Sequence, residues 1–315
     1  MRILVTGARG KVGAATVAAL HDAGHDVCAS DLARPTFETP GEESVPYVQA
    51  DLTDAGDAYA LVHGHDAVVH AAAIPEPTHN VPHVTFTNNL GAAFNVTEAC
   101  VRWGVSRLVN LSSETVPGYF FPERPFLPDY VPVDEEHPIR PQDPYATAKH
   151  FGELLMDGAT RRSDLRCISI RPSWVQWEGN YARNVGAGLA DPQPTPGFWA
   201  YIDVYDLADA IRLAAESDLP GHEVFIIASP DIAALEDLPT LVRRFHGDGA
   251  VELRALDRPD GGGITVAKAR RLLGYDPRRS WRDYLGDDGA LLTEPRERLE
   301  RGETGVQRGR AMSGG

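Results

Sequence analysis

Two side chains that can handle a proton together, Tyr145 and Lys149, stand four residues apart in the sequence. This spacing places a phenol and an ammonium group on one face of a helix. Hydride transfer needs a proton donor or acceptor beside the reacting carbinol oxygen, and tyrosine serves when a nearby cation stabilises its phenolate. The pair therefore predicts hydride chemistry at a hydroxyl-bearing carbon. Tyr145 and Lys149 are expected to be catalytic and also to contact the cofactor.

A serine at the end of a predicted strand supports this chemistry. Ser112 and Ser113 follow the apolar run 107–111, and ligands bind at strand ends in parallel sheets. A hydroxyl there can hold the substrate oxygen near Tyr145, so Ser113 is the third predicted catalytic residue. The alternative is an ordinary strand exit at which serine caps a turn.

A glycine-rich turn between the first strand and the first helix predicts a dinucleotide site. Gly7 permits the tight turn, Gly10 lets the backbone approach a pyrophosphate, and Gly13 allows close helix–sheet packing. The helix N-terminus then offers free N–H groups to the phosphates. The alternative is a turn that merely tolerates glycine. The predicted cofactor-binding residues of this turn are Gly7, Arg9, Gly10, Lys11, Val12 and Gly13.

Asp31, at the end of the second predicted strand, favours NAD over NADP. A carboxylate at this position accepts hydrogen bonds from the adenosine ribose and repels a 2′-phosphate. Arg34, three residues later, weakens this preference. The residues that follow the third and fourth strands are expected to line the adenine and ribose, and they are Asp51, Leu52, Ala71, Ala72 and Ala73. The alanines would also suit the packing of a helix.

The elements that must position these residues alternate between strand and helix. The predicted strands are 3–6, 26–30, 47–49, 67–70, 107–111, 165–170 and 224–228. The predicted helices are 11–23, 84–103, 144–160 and 206–216. Strict alternation implies right-handed crossovers and a parallel sheet covered on both faces. We therefore expect an α/β fold, a Rossmann-type doubly wound parallel sheet with a smaller C-terminal substrate-binding lobe.

Irregular stretches divide the chain. The NAD-binding Rossmann domain is expected to comprise residues 1–172 and about 201–228, and the substrate-binding lobe residues 173–200 and 229–285. The segment 115–144 is too long for a simple connection and is predicted to be a functional loop. Residues 286–315 lose apolar periodicity, and we expect a flexible tail there.

These motifs together resemble those of the NAD-dependent epimerase/dehydratase family, the extended short-chain dehydrogenases, over about residues 1–285. The resemblance rests on the glycine turn, on 113–118, on the Tyr145/Lys149 pair and on 201–204. It implies that Ser113, Tyr145 and Lys149 are the family's catalytic residues.

The resemblance also implies supporting roles and an assembly. Asn89 matches the asparagine that supports the active-site water and lysine, and Pro172 belongs to the strand-end segment that contacts the nicotinamide. The helices 84–103 and 144–160 match those that pair across a two-fold axis, so the resemblance implies a homodimer.

Dehydratases of this family carry Thr-Asp-Glu where this chain has Ser113, Glu114 and Thr115. β-Elimination needs an acid for the leaving hydroxyl and a base for the α-proton. Because Thr115 stands where the base is expected, dehydration is disfavoured.

Nucleotide-sugar epimerases often carry an arginine where this chain has Trp199. A diphosphate needs charge-assisted hydrogen bonds. The absence of this arginine therefore disfavours a nucleotide-sugar substrate, unless Arg183, Arg254 or Arg258 takes its place.

Aromatic side chains cluster in the predicted substrate loop, namely Trp174, Trp177, Tyr181, Phe198 and Trp199. They are expected either to stack on a sugar or a steroid-like ring or to form the core of the small lobe. The predicted substrate-contacting residues are His79, Glu114, Thr115, Trp174, Asn180 and Arg183.

The composition argues against several other classes of function. The 315-residue chain carries a formal net charge of -15, which argues against nucleic acid or an anionic membrane as a partner. No run approaches the ~18 apolar residues that span a bilayer, so we expect a cytoplasmic enzyme. The three cysteines are widely spaced and the histidines lack partners at ligand spacing, so neither a disulfide nor a metal site is predicted.

We therefore predict an NAD-dependent oxidoreductase that transfers hydride at a hydroxyl-bearing carbon of a sugar-like substrate, of the sugar or uronate dehydrogenase type. A nucleotide-sugar (UDP-hexose) 4-epimerase with tightly bound NAD is the first alternative, because it uses the same chemistry. A non-catalytic dinucleotide-sensing regulator is the second, because a fold alone does not fix a function.

Overall fold

A seven-stranded parallel sheet forms the centre of the computed structural model, which describes residues 1–33, 45–189 and 191–301. In chain order, the strands of these residues are β1 (Arg2–Thr6), β2 (Asp26–Asp31), β3 (Tyr47–Gln49), β4 (Ala67–His70), β5 (Arg107–Leu111), β6 (Tyr130–Val131), β7 (Arg166–Pro172), β8 (Val175–Gln176), β9 (Ile202–Asp203), β10 (His222–Ile227) and β11 (Glu252–Leu253). The large sheet has the order β10-β7-β5-β4-β1-β2-β3. Two small parallel pairs, β6 with β11 and β8 with β9, lie outside it.

Helices cover both faces of this sheet. They are α1 (Lys11–Asp22), α2 (Ala55–Val62), α3 (Pro82–Trp103), α4 (Pro144–Arg162), α5 (Ala187–Leu189), α6 (Val204–Glu216), α7 (Leu238–His246), α8 (Ala267–Leu273) and α9 (Thr293–Glu300). Ile3 and Val5 of β1 pack with apolar residues of α1 and α6, whereas Leu4 packs with those of α3 and α4. Because successive residues of a strand point to opposite faces of the sheet, β1 contributes side chains to the hydrophobic cores on both faces. The predicted Rossmann-type fold is confirmed.

The topology opens a crevice at the carboxyl ends of β1 and β4. These strands are neighbours, but the chain continues from β1 to β2 on one side and from β4 to β5 on the other. Ligands of such sheets bind at this reversal of strand order. Thr6 and His70 are register partners at the crevice, and Thr6 Oγ1 lies 3.0 Å from His70 Nδ1.

Two helices that flank the crevice have clear start and stop signals. Asp143 caps α4 by accepting a 2.8 Å hydrogen bond from the Ala146 backbone N–H, and Pro144 fits the first turn, where its missing N–H costs nothing. Helix α3 ends at Gly104, whose φ of 68 suits glycine. Within the described residues, no helix is long and apolar enough to cross a membrane.

The structure differs from the predicted flexible tail at residues 286–301. Leu285 and Leu291 form a β-bridge, and α9 follows. This segment lacks apolar periodicity, but polar contacts hold it, since Arg298 Nε donates a 2.7 Å hydrogen bond to Glu178 Oε1. The remainder, 302–315, lies outside the described residues. The helices α2, α5, α7 and α8 were not predicted either; each is short.

Candidate active site

A cavity of about 820 Å³ occupies the crevice. At one end, which we call the glycine-turn end, its walls are Gly7, Gly10, Lys11, Val12, Gly13, Ala71, Ala73, Val175 and Trp177. At the other, the aromatic end, they are Glu114, Phe120, Phe121, Ser173, Trp174, Thr195, Pro196, Gly197 and Ala200. Between the two ends lie Pro75, Glu76, Leu111, Ser112, Ser113, Thr115, Tyr145, Lys149 and Pro172.

The glycine turn forms a backbone cradle that side chains would fill. A Cβ on Gly7, whose φ is +66, would lie 2.6 Å from the Ala72 nitrogen, and a Cβ on Gly13 would lie 2.1 Å from the Gly7 oxygen. Gly10 is the N-cap residue of α1 and offers no side chain to its first N–H groups. The cradle therefore fits a pyrophosphate seated on a helix N-terminus.

Asp31 lies beside this cradle at the end of β2. Its Oδ2 accepts a 2.9 Å hydrogen bond from the Arg9 backbone N–H, and its Oδ1 accepts one of 2.8 Å from Leu32. The bond from Arg9 thereby ties the glycine turn to the strand that would receive the adenosine ribose. Arg34 lies outside the described residues.

The other predicted cofactor-binding residues divide between the cavity wall and its surroundings. Ala71, Ala73 and Pro172 line the cavity. Ala72 donates a 3.3 Å hydrogen bond from its backbone to Thr6 Oγ1. Asp51 is exposed and accepts hydrogen bonds from Thr53, and Leu52 is buried; neither lines the cavity.

The structure brings Ser113, Tyr145 and Lys149 together on the cavity wall. Lys149 Nζ donates a 2.6 Å hydrogen bond to the Leu111 carbonyl and lies 5.7 Å from the centre of the Tyr145 ring. Ser113 Oγ accepts hydrogen bonds from the Thr115 backbone N–H at 3.2 Å and from Thr115 Oγ1 at 3.0 Å. All three side chains are largely buried, so a reaction here would proceed away from bulk water.

Burial shifts both titratable groups of this trio. It raises the pKa of Tyr145 to about 12, against the opposing hydrogen bond from Ser113. It lowers the pKa of Lys149 to about 8, against the carboxylate of Glu153. Each shift has desolvation of the charged form as its main cause. The two pKa values are thus further apart than those of a free phenol and a free amine.

A buried ion pair lies behind Lys149. Glu153, one turn further along α4, accepts hydrogen bonds from Arg171 Nε at 2.8 Å, from Arg171 Nη2 at 2.7 Å and from Ser112 Oγ at 2.6 Å. Burial alone would raise the pKa of Glu153, but the bonds from Arg171 and its other partners lower it to about 2. The pair fixes α4 to the ends of β5 and β7, and so fixes Lys149.

Asn89 contacts the loop after β4. Its Oδ1 accepts a 2.8 Å hydrogen bond from the Ile74 backbone N–H, and its Nδ2 donates one of 2.9 Å to the Ile74 carbonyl. These two bonds hold the backbone next to Ala73 and Pro75 in the cavity wall. No direct hydrogen bond joins Asn89 to Lys149 within the described residues. The supporting role that the resemblance implies for Asn89 stays a prediction.

Some of the predicted substrate-contacting residues line the cavity, and others do not. Glu114, Thr115 and Trp174 line the cavity. His79 does not: its side chain is exposed and pairs with Glu76. Asn180 and Arg183 are also away from the wall and are occupied locally. Asn180 Oδ1 accepts a 2.8 Å bond from the Trp177 backbone N–H, and Arg183 Nε donates one of 3.2 Å to Asn184.

The aromatic cluster divides between the cavity wall and the core of the lobe, and stacking on a substrate ring stays a prediction. Trp174 and Trp177 line the cavity. The buried members form the core of the lobe, and they are Tyr181, Phe198 and Trp199.

Sequence reasoning missed several wall residues. Phe120, Phe121, Thr195 and Gly197 come from long irregular segments that carry no periodic pattern. The adjacent phenylalanines in a loop were the one available signal, since two large apolar residues outside a regular element need a surface to cover.

Comparison with known proteins identifies the family of the chain. Residues 3–188 match the NAD-dependent epimerase/dehydratase family. The chain therefore belongs to this family of NAD-dependent enzymes, and the predictions of the family, of an enzyme and of NAD as cofactor are confirmed.

Individual relatives differ in their activities. The chain is 28% identical to a UDP-glucose 4-epimerase of Corynebacterium glutamicum, an alignment that covers 93% of this chain and 96% of the relative. It is 29% identical to an L-arabinose 1-dehydrogenase (NAD(P)(+)) of Haloferax volcanii, over 71% of this chain and 86% of the relative. Among solved structures, MoeE5 in complex with UDP-glucuronic acid and NAD has the same fold, with a TM-score of 0.68, 23% identity and coverage of 95% and 100%.

Proposed function

We propose that the protein is an NAD-dependent dehydrogenase that oxidises a hydroxyl-bearing carbon of a free, sugar-like substrate. The observation that carries this proposal is the common wall that holds the Ser113 hydroxyl, the Tyr145 phenol and the Lys149 ammonium, one end of which is the glycine cradle. The dehydrogenase activity of the relative from Haloferax volcanii supports the same reaction class.

Each residue of the trio has a proposed task. NAD, when bound in the glycine cradle, supplies the hydride acceptor. The Tyr145 phenolate takes the proton of the substrate hydroxyl, and the Ser113 hydroxyl holds that oxygen in place by a hydrogen bond. The positive charge of Lys149 favours the phenolate form of Tyr145, and its hydrogen bond to Leu111 holds it at the strand end.

The charge distribution of the cavity supports a free substrate over a nucleotide-linked one. Of the described wall residues, the cations are Lys11 and Lys149. The arginines that could bind a diphosphate are engaged elsewhere: Arg258 pairs with Asp260 at 2.9 Å, and Arg254 packs on the Tyr130 ring. Arg254 and Arg258 could bind a diphosphate only if these contacts broke.

Replacing the phenol tests this proposal. Tyr145→Phe keeps the ring and removes only the hydroxyl, so we expect NAD binding to stay within about twofold while turnover falls by about a thousandfold. NADH formation with a panel of aldoses and uronates measures turnover, and isothermal titration measures NAD binding. Tyr59→Phe, which removes a hydroxyl on α2, is the control. Unchanged turnover in Tyr145→Phe contradicts the assignment.

The second candidate function is UDP-hexose 4-epimerisation, which the near full-length similarity to a UDP-glucose 4-epimerase favours. An epimerase returns the hydride to the opposite face of the same substrate and therefore accumulates no NADH. UDP-glucose converted without net NADH, and free aldoses left unchanged, would support this function in place of the dehydrogenase. A regulator without catalysis would bind NAD and convert no member of the panel.

We also propose a homodimer paired through α3 and α4. Phe94, Phe151 and Leu154 on these two helices are exposed, and adjacent apolar residues on two helices are typical of a helix–helix interface. Light scattering at micromolar concentration should give twice the mass of the chain. Phe151→Glu should then give a monomer with the same far-ultraviolet circular dichroism, and a monomeric wild-type protein contradicts the proposal.

A further inference from the structure

The aromatic end of the cavity holds a buried carboxyl group with an unused hydrogen-bonding position. Glu114 follows Ser113 directly, and its backbone N–H donates a 3.2 Å hydrogen bond to the Pro172 carbonyl. Its Oε2 atom is buried and has no hydrogen-bond partner among the residues that the structure describes. Gly197 lies opposite, where a Cβ would be 3.6 Å from Oε2. The absent side chain of Gly197 leaves the carboxyl in contact with the cavity.

A second unused polar group lies in the same wall. Ser173 Oγ is buried and, within the described residues, also lacks a hydrogen-bond partner. Its backbone adjoins the Pro172 carbonyl that fixes Glu114. Buried polar groups are almost always paired in folded proteins. Two unpaired groups in one cavity wall therefore indicate a ligand that pairs with them.

The surroundings disfavour the charged form of the Glu114 carboxyl. The Phe120 ring lies near it, since a Cβ on Gly197 would be 3.5 Å from Phe120 Cε1 and 3.6 Å from Glu114 Oε2, and burial raises its pKa well above the ordinary value. The described cations of the wall lie elsewhere: Lys149 stands beneath Tyr145, and Lys11 packs over the Trp177 ring. Arg171, behind the wall, is paired with Glu153.

A second acidic side chain lines the same cavity. Glu76 lines the middle of the cavity. Its partial burial works toward a higher pKa, but hydrogen bonds from Thr78 and contacts with His79 lower the pKa overall. The cavity thus holds a second acidic side chain, which disfavours the binding of an anion.

We propose, on the basis of the dehydrogenase function proposed above, that Glu114 is a specificity-determining residue that hydrogen-bonds a hydroxyl group of an uncharged substrate and excludes carboxylate- or phosphate-bearing analogues. A protonated carboxyl donates one hydrogen bond and accepts others, which matches a hydroxyl group. An anion in the same place would have no cation to pair with and would lose its hydration, which is the costly arrangement for a buried charge. The substrate class is therefore neutral polyols and aldoses, and uronates and sugar phosphates lie outside it.

Matched pairs of probes test this inference. NADH formation is measured with D-glucose and D-glucuronate and with D-galactose and D-galacturonate, together with glucose 6-phosphate. For the wild-type protein, we expect kcat/KM for each neutral sugar to exceed that for its charged analogue by at least about a hundredfold. An equal or greater kcat/KM for the uronates overturns the inference and leaves the dehydrogenase function standing. No NADH with any probe overturns the dehydrogenase function, and the inference falls with it.

Two substitutions distinguish a neutral carboxyl from an ionised one. Glu114→Gln carries a donor and an acceptor without charge, so it should keep KM for the neutral sugar within about threefold. Glu114→Ala should raise KM by about tenfold and leave kcat within about threefold, a loss of about 1.4 kcal/mol in binding. Glu123→Gln, an exposed residue later in the same loop, is the matched control. If Glu114→Gln raises KM for the neutral sugar as much as Glu114→Ala does, the carboxyl acts in its ionised form and the inference is wrong.

Discussion

The two ends of the cavity are built by different means. At the glycine-turn end, backbone atoms make the wall: the turn approaches Ala72 so closely that a Cβ on Gly7 would lie 2.6 Å from its nitrogen. At the aromatic end, side chains from two distant loops make it, among them Phe120, Trp174 and Glu114. A backbone wall suits a part of the ligand that never changes, whereas a side-chain wall can be rebuilt by substitution. We therefore expect the glycine-turn end to bind the cofactor common to the family and the aromatic end to determine the choice of substrate.

The largest effect is expected from a methyl group at the glycine-turn end. In Gly13→Ala, the new Cβ would lie 2.1 Å from the Gly7 oxygen and 2.7 Å from its carbonyl carbon, so the turn must move. We expect NAD binding to weaken by at least about a thousandfold, or about 4 kcal/mol. Isothermal titration with NAD measures the effect.

The control for this variant is Gly158→Ala on α4, where a Cβ would have no neighbour within 4 Å. It should bind NAD as the wild type does, and helix propensity should make the chain slightly more stable. Near-normal NAD binding by Gly13→Ala would mean that the backbone cradle is not the cofactor site, and the contrast between the two ends would fail.

The second largest effect is expected from the ion pair between Glu153 and Arg171, which fixes helix α4 beside the middle of the cavity. Glu153→Gln removes the carboxylate and leaves the Arg171 guanidinium buried with a neutral partner. Breaking one side of a buried pair costs about 3 kcal/mol of the free energy of unfolding. Urea denaturation at pH 7 measures the loss, and Glu153→Met/Arg171→Met, which removes both charges, should recover part of it.

The stabilisation that Glu153 contributes depends on pH and is lost in acid. The pKa of Glu153 is about 2 in the folded protein and 4.5 ordinarily, so its stabilisation is complete above pH 4.5 and is lost as the pH falls toward 2. Glu153→Gln should lack this acid-dependent loss. The buried His70, with a pKa of about 3, destabilises both proteins equally as the pH falls below 6.5. Identical slopes for the two proteins below pH 4.5 would contradict the prediction.

Sequence reasoning predicted the glycine-turn end well because its signals are local. The spacing of Gly7, Gly10 and Gly13 at a strand–helix junction specifies the cradle, and the i,i+4 spacing of Tyr145 and Lys149 specifies their common face. The bounds of β4 and β5 matched the prediction for the same reason, since buried strands appear in the sequence as short apolar runs.

The aromatic end was predicted poorly because long-range contacts decide it. Arg183 and Asn180 stand among the wall residues in sequence, yet each is held by a neighbour and does not reach the cavity. The ion pair between Glu153 and Arg171 joins residues 18 apart in sequence, which no periodicity indicates. Whether a tryptophan belongs to the core or to the wall depends on segments that meet only in the folded chain.

The smallest effect is expected from replacing Trp174, a tryptophan of the cavity wall at the aromatic end. Trp174 is 42% exposed and lines the cavity, so its indole can cover an apolar face of the substrate without supporting the fold. Trp174→Ala should raise KM for a neutral aldose by about fivefold, or about 1 kcal/mol. It should leave kcat, NAD binding and the free energy of unfolding close to those of the wild type. Trp103→Ala removes an indole that is 41% exposed at the end of α3 and should leave KM unchanged. A fall in NAD affinity in Trp174→Ala would instead mean that the cofactor extends to the aromatic end, and the two ends would then form one binding surface.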